Sequence, residues 1–248
     1  MTESQVPRLF DAHYRDFHAD LPFWHKLADR HGGPILELGS GTGRVLFALA
    51  RAGHRLTGVD NDPAMVQYAA ANMPRELTPR IHLVASDLRH LPLAGAYQLA
   101  IAPCNTLAYL DDGELTGCLN AVARSLKPGA ALAADLPSPS LDDLDPQAPS
   151  HDQFHEPQRG TDVQVTPDMN IDRARRKVEV TWRYDEMLPD GRVERVEVPL
   201  TYYLRTPERI MELWGQAGFS KFDVRGNYAG SPFSPQSKAM LVTAQRGG

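Results

Sequence analysis

Ten consecutive residues, Ile35-Leu36-Glu37-Leu38-Gly39-Ser40-Gly41-Thr42-Gly43-Arg44, join a short apolar run, an acid and three alternating glycines. Glycine adopts positive φ readily and lets another group approach the main chain, so this strand-to-helix turn reads as a cofactor seat. Two cofactor classes use such a turn. A dinucleotide brings a pyrophosphate and requires G-x-G-x-x-G, whereas here the third glycine comes early, at Gly43, and Arg44 stands in its place. Glu37 would repel a diphosphate but suits a zwitterionic or cationic ligand. Sulfonium chemistry, as in S-adenosylmethionine, fits better. Two more acids follow the next two expected strands. Asp60 closes Leu56-Thr57-Gly58-Val59-Asp60, where its oxygens can accept from both hydroxyls of a ribose, and Asp87, before Leu88, can accept from an adenine amino group. Each acid alone reads equally well as a turn or a helix cap. Together with the glycine turn they form a binding surface.

The elements that must position these residues alternate. Strands are expected near Ile35–Leu38, Arg55–Asp60, Ile81–Ala85, Tyr97–Ala102 and Ala130–Asp135, with helices between, which predicts a parallel sheet covered by helices. Asp62-Pro63 reads as an N-cap and first helical residue, and Glu114–Leu126 sets Leu115, Cys118, Leu119, Val122 and Leu126 on one helical face, ended by Lys127-Pro128-Gly129. Pro137, Pro139, Pro146, Pro149 and Pro157 then punctuate an acidic stretch that reads as a loop. Val178, Val180, Trp182 and Tyr184 alternate with polar residues, Pro189-Asp190-Gly191 supplies a turn, and Val196, Val198, Leu200 and Tyr202 alternate on the return. Val163 and Val165 begin a third antiparallel partner. Thr206-Pro207 opens a last helix, followed by strands around Lys221–Arg225 and Ala239–Ala244. The expected organisation is a helical cover over 1–33, an α/β core over 34–136, a loop and antiparallel β insertion over 137–205, and a C-terminal completion over 206–248.

With these motifs the chain resembles the class I, Rossmann-like S-adenosylmethionine-dependent methyltransferases. The resemblance rests on Glu37–Gly43, Asp60, Asp87, Ala102-Pro103-Cys104-Asn105 at strand four and Leu126-Lys127-Pro128-Gly129 before strand five, and spans most of residues 10–246. It implies a seven-stranded, mostly parallel sheet with helices on both faces and an antiparallel last strand. It also implies S-adenosylhomocysteine as product and cofactor contacts from Tyr14, Glu37, Gly39, Ser40, Gly41, Arg44, Asp60, Asn61, Asp87, Leu88, Ala102 and Cys104. Phe10-Asp11-Ala12-His13-Tyr14-Arg15-Asp16-Phe17 looks like the tyrosine-containing cover segment of small-molecule methyltransferases. The β insertion after strand five is similar to that of bacterial small-amine N-methyltransferases, including those of amino sugars. The amino-sugar type uses a histidine near the place of Tyr109, a departure that puts an amino sugar in doubt as the acceptor.

Methyl transfer is an in-line displacement, so the enzyme chiefly aligns a lone pair with the methyl group and excludes water. Tyr14, Asn105 and Tyr109 are the candidate catalytic or positioning residues, with packing and helix capping as the competing readings. A net charge of −5 gives no broad footprint for nucleic acid, and two cysteines, Cys104 and Cys118, are too few for a disulfide framework. No stretch approaches the roughly 20 apolar residues of a membrane span, so a cytoplasmic protein is expected. Pro103-Cys104 matches the nucleophile dipeptide of cytosine C5-methyltransferases without their other motifs, and a buried thiol is the better reading. An Asn-Pro-Pro-Tyr motif is absent after strand four. His151, His155 and Glu156 have spacing that could suit a metal, but their proline-rich context gives no dependable helix, and no metal is expected. Arg173, Arg175, Arg176 and Lys177 read as a solvated hairpin turn. The reading is a methyltransferase acting on a small molecule, nitrogen preferred over oxygen, with room for a homodimer through the insertion. A catalytically silent cofactor-binding or interaction protein and, further off, a nicotinamide-dependent oxidoreductase are the alternatives.

Overall fold

The computed structural model describes residues 5–94, 96–141, 144 and 152–248. Its core begins with β1 (Ile35–Leu38), β2 (Leu56–Asp60), β3 (Ile81–Ala85), β4 (Tyr97–Ala102) and β5 (Leu126–Pro137), preceded or separated by α1 (Gln5–Tyr14), α2 (Leu21–His31), α3 (Arg44–Arg51), α4 (Pro63–Asn72) and α5 (Asp112–Ser125). An insertion follows, made of β6 (Asp152–Glu156), β7 (Thr161–Asp172), β8 (Lys177–Met187) and β9 (Val193–Tyr203); α6 (Pro207–Gln216), β10 (Phe219–Arg225) and β11 (Ala239–Arg246) complete the chain. The main sheet has the order β10-β11-β5-β4-β1-β2-β3, with β11 antiparallel to both its neighbours. This is the expected α/β, Rossmann-like architecture.

Strand alternation divides the core. Ile35, Leu99, Ile101, Ala131 and Ala133 face α2 and α3 through Trp24, Leu27, Val45 and Leu49. Leu36, Leu38, Ala100, Leu132 and Ala134 face α5 and α6 through Leu115, Leu119, Val122 and Trp214. Helix starts carry their expected chemistry. The Asp62 carboxylate accepts from the Ala64 N–H at 2.8 Å, while Asp111 and Glu114 form a capping box at α5.

Two expectations need correction. The insertion is a four-stranded sheet, ordered β6-β7-β8-β9, because β6 forms within the stretch read as loop; five residues suffice between prolines for a short edge strand. β5 starts at Leu126, not Ala130, so Pro128 and Gly129 lie inside it, where the register against β4 shifts between Tyr97 and Leu99. His151 lies outside the described residues. His155 bonds Asp162 at 3.0 Å, and Glu156 turns inward to Arg8. No helix among the described residues is long and apolar enough to cross a membrane.

α1 belongs structurally with the insertion as much as with the core. Leu9 packs with Val163, Val165, Tyr184 and Val196. The Arg8 guanidinium donates to Glu186 at 3.0 and 2.7 Å and to Glu156 at 2.5 Å, both carboxylates being buried. Helix and sheet thereby form one roof over the carboxyl ends of β1, β2 and β4.

Candidate active site

Beneath that roof lies a cavity of about 610 Å³, at the end of the sheet where open α/β folds bind ligands. Its floor is the glycine turn. Gly39 has φ +65°, and a Cβ there would stand 2.5 Å from Thr106 Cγ2; Gly43 has φ +93°, and a Cβ would stand 2.7 Å from the Phe47 ring. Both positions favour glycine by conformation, and at Gly39 the buried Thr106 side chain also leaves no space for a Cβ. The Asp60 carboxylate accepts from the Gly41 N–H at 2.8 Å and the Asp62 N–H at 2.9 Å, which fixes it beside the turn. Burial raises its pKa, opposed by those main-chain bonds.

Glu37 is fully buried, and desolvation pushes its carboxyl up to about 8, with Arg44 opposing. Among the described residues its Oε2 and the Ser40 Oγ have no hydrogen-bond partner, and both residues line the cavity. Buried polar atoms rarely go unpaired, so this pair is a vacancy in the bonding scheme that a ligand with N–H groups would fill. The methionine end of S-adenosylmethionine, which carries an ammonium group, fits that donor demand. Beyond the carboxyl end of β3, Asp87 is clasped by Arg89, which donates from Nε at 2.9 Å and from its own main-chain N–H at 2.8 Å, holding the carboxyl down at about 2.

Arg44 closes the near wall. Its guanidinium bonds Asp20 through two nitrogens at 2.7 and 2.6 Å, the Phe17 carbonyl at 2.7 Å and Cys104 Sγ at 3.1 Å. Its contribution is to pin the segment between α1 and α2 against the turn. After β4 the chain passes through Cys104 (φ +57°) and Asn105 (φ +60°), two successive non-glycine residues in the left-handed region, a strained arrangement of the kind held at functional sites. Their conformation is fixed from β5: Asp135 accepts the Asn105 N–H at 3.1 Å and the Tyr228 hydroxyl at 2.5 Å. Burial raises the Asp135 carboxyl to about 6. Cys104 is not the buried thiol expected from the sequence but is exposed along the cavity wall, where desolvation pushes its thiol up to about 12.

The far wall is phenolic. Tyr109 and Tyr202 approach with ring centroids 5.0 Å apart and hydroxyls 3.4 Å apart, and Tyr14 faces the same space from α1. Desolvation raises the pKa of all three, so each stays a neutral hydroxyl. Tyr14, Glu37, Gly39, Ser40, Gly41, Arg44, Asp60, Asn61, Asp87, Leu88, Cys104, Asn105 and Tyr109 all line this one cavity. Ala102 does not; it is wholly buried, paired with Ala134 in the sheet. Sequence reasoning did not single out Asp20, Asp135, Tyr228 or, on β9, Pro199 and Thr201; it named Tyr202, with Trp182, Tyr184 and Tyr203, as suited to a pocket cover or an oligomer interface. Asp135 carried the same signal as Asp60, an acid at the carboxyl end of a core strand. Tyr228 lies in the link between β10 and β11 and carried none.

Residues 35–129 match the family model described as a methyltransferase domain. A cypemycin N-terminal methyltransferase from a Streptomyces species is 28% identical over 217 residues, 87% of this chain and 84% of that protein. A sugar N-methyltransferase from a Streptoalloteichus species superposes with a TM-score of 0.78 at 19% identity, covering 100% of this chain and 95% of the other. An amino pentose methyltransferase from Micromonospora echinaspora, solved with S-adenosylmethionine bound, gives 0.72 at 20% identity and 96% of each chain. The solved structures share the fold, and the methyltransferase-domain match together with the Streptomyces relative indicates a class I S-adenosylmethionine-dependent methyltransferase.

Proposed function

We propose that the protein N-methylates an amine of a small acceptor held under the roof formed by α1 and the insertion. The observation that carries this reading is the wall of three neutral phenols, Tyr14, Tyr109 and Tyr202, facing the glycine turn across one continuous cavity. A neutral phenol oxygen accepts an amine N–H and so aims the nitrogen lone pair, while aromatic faces favour the cationic product. Bound S-adenosylmethionine supplies a methyl group on a positively charged sulfur. In this reading Asp60 holds the ribose, Asp87 and Leu88 the adenine, and Glu37 with Gly39 and Ser40 the methionine end. Tyr14 and Tyr109 align the amine, and the Asn105 turn shapes the wall beside them. The new N–C bond forms as S–C breaks, the sulfur keeps the electron pair, and the ammonium product returns its extra proton to solvent. The matches to proteins named as N-terminal and sugar N-methyltransferases support nitrogen as the acceptor.

The division at 33/34, 136/137 and 205/206 is proposed as a division of labour into cover, donor site, acceptor roof and sheet completion, with α1 grouped functionally with the roof. A homodimer through the insertion would cover Met187 and Val193, which are exposed at its hairpin end; light scattering reads this directly.

The test is a matched panel of amines, phenols and carboxylates, read as S-adenosylhomocysteine formed. Amines are expected to turn over, and Tyr14→Phe and Tyr109→Phe each to lower kcat about 10-fold while S-adenosylhomocysteine affinity holds, since each removes one positioning hydrogen bond. Turnover confined to phenols or carboxylates would sink the amine assignment.

A further inference from the structure

The insertion sheet ends in a strand with one unpaired side, and that side meets the cavity. Among the described residues β9 pairs only with β8, without a register shift from Lys177↔Tyr203 to Met187↔Val193. The bonds flanking this ladder show which main-chain groups point outward. The Leu188 N–H donates to the Arg192 carbonyl at 2.8 Å, and the Leu204 N–H to the Arg176 carbonyl at 2.8 Å. Bonded and non-bonded pairs alternate in an antiparallel ladder, so the even-numbered residues of β9 bond to β8 and the odd-numbered ones turn away from it. Pro199, which has no N–H, falls on an outward position, where a sheet tolerates proline. Among the described residues, no hydrogen bond engages the main-chain groups of Glu197 or Thr201, or the Pro199 carbonyl.

The cavity touches Val198, Pro199, Leu200, Thr201 and Tyr202 in succession. Side chains alternate between the two faces of a strand, so five consecutive residues bring the cavity onto the main chain of β9 itself. The strand ends at Tyr203, beside Tyr202, whose hydroxyl meets that of Tyr109. One end of an open hydrogen-bonding edge thus reaches the phenolic wall, and the other runs away from it toward Glu197.

We propose that the acceptor is a short extended peptide that adds to the outer edge of β9 between Glu197 and Thr201 and presents its N-terminal α-amine to Tyr14, Tyr109 and Tyr202. The proposal rests on the amine reading above and names its substrate class. Direction follows from topology: with the N terminus at the Tyr202 end, the peptide runs antiparallel to β9, the stronger of the two pairings. At roughly 3.4 Å per residue the Glu197–Thr201 edge accommodates about five residues, so affinity grows with length up to that size and then levels off. Main-chain bonds supply binding regardless of sequence, and neighbouring side chains supply any selectivity.

The experiment uses the full chain, S-adenosylmethionine and three probe sets: randomised hexapeptides with free N termini, the same hexapeptides N-acetylated, and monoamines including amino-acid amides and amino sugars. Products are located by tandem mass spectrometry. Methylation at the α-amine of the free hexapeptides is expected, with kcat/KM about 10-fold or more above the amides, and none on the acetylated set. Thr201→Pro deletes one outward N–H and is expected to lower hexapeptide kcat/KM about 10-fold, leaving S-adenosylhomocysteine affinity intact. Hexapeptides carrying methyl groups on their internal peptide nitrogens test the same bonds on the unaltered protein and are expected to lose a similar factor. Monoamines methylated as well as or better than hexapeptides, or indifference to internal N-methylation, overturns the edge proposal while leaving the amine reading standing. Methylation of phenols or carboxylates with no amine accepted in any set removes both.

Discussion

Glu37 illustrates how one residue can be costly to the empty fold and useful to the bound one. Its carboxyl, ordinarily near 4.5, sits at about 8 because burial disfavours the charge. A raised carboxyl pKa gives a stability contribution that is complete below about pH 4.5 and is lost as pH rises toward 8, where the folded protein must bury the anion. A cofactor ammonium reverses that preference. S-adenosylhomocysteine binding is therefore expected to strengthen from pH 6 to pH 8 and to release a proton near pH 7, seen in calorimetry as an enthalpy that depends on the buffer. Glu37→Gln should abolish both effects, and an unchanged pH profile in that variant would remove Glu37 from the site. Asp60→Ala removes the acceptor of the Gly41 N–H together with the proposed ribose contacts, so S-adenosylhomocysteine affinity is expected to fall about 10- to 100-fold by titration. The place of both acids on the cavity was legible because they end apolar runs. The bonding of Arg44 was not, since Asp20 lies 24 positions away and meets it only through the packing of α2 on the core.

Among the elements, the roof is held by charge as well as by apolar contact. Arg8 on α1 bridges Glu156 at the end of β6 and Glu186 on β8, both within 2% exposure. Removing one partner of a buried ion pair strands the other charge, and Arg8→Met is expected to cost about 3–5 kcal/mol in urea unfolding. The Arg8→Met/Glu156→Gln double variant should recover part of that loss, because one of the two carboxylates that Arg8 paired is then neutral; equal losses in single and double variants would show that packing of Leu9 and its neighbours dominates instead. The insertion was readable in outline from the period-2 runs of β8 and β9. β6 was missed because five residues between prolines carry too little pattern, and it becomes a strand only because β7 offers an edge, with Phe154 opposite Val163.

At the scale of the molecule, the proposed cofactor site joins the glycine turn, the cover and the β4–β5 wall, which come from separate parts of the chain. Saturation at about 100 times Kd adds roughly 2.7 kcal/mol of stability, and for a chain of this size that raises Tm by about 5–10 °C. A thermal melt with S-adenosylhomocysteine reads this, and NAD at the same multiple of the expected Kd should leave Tm unchanged. The sequence by itself determined the sheet, its helices and the donor side of the site, because turn glycines, strand-end acids and helix caps act over a few residues and leave local marks. Tertiary structure alone decided the acceptor side. Asp135 with Tyr228, Tyr109 with Tyr202, and Arg8 with its two glutamates are pairs 93, 93, 148 and 178 positions apart. Such contacts obey no local period; they exist only once the insertion and the β10–β11 link have folded back over the core, and with the insertion the open edge of β9 comes to lie along the cavity.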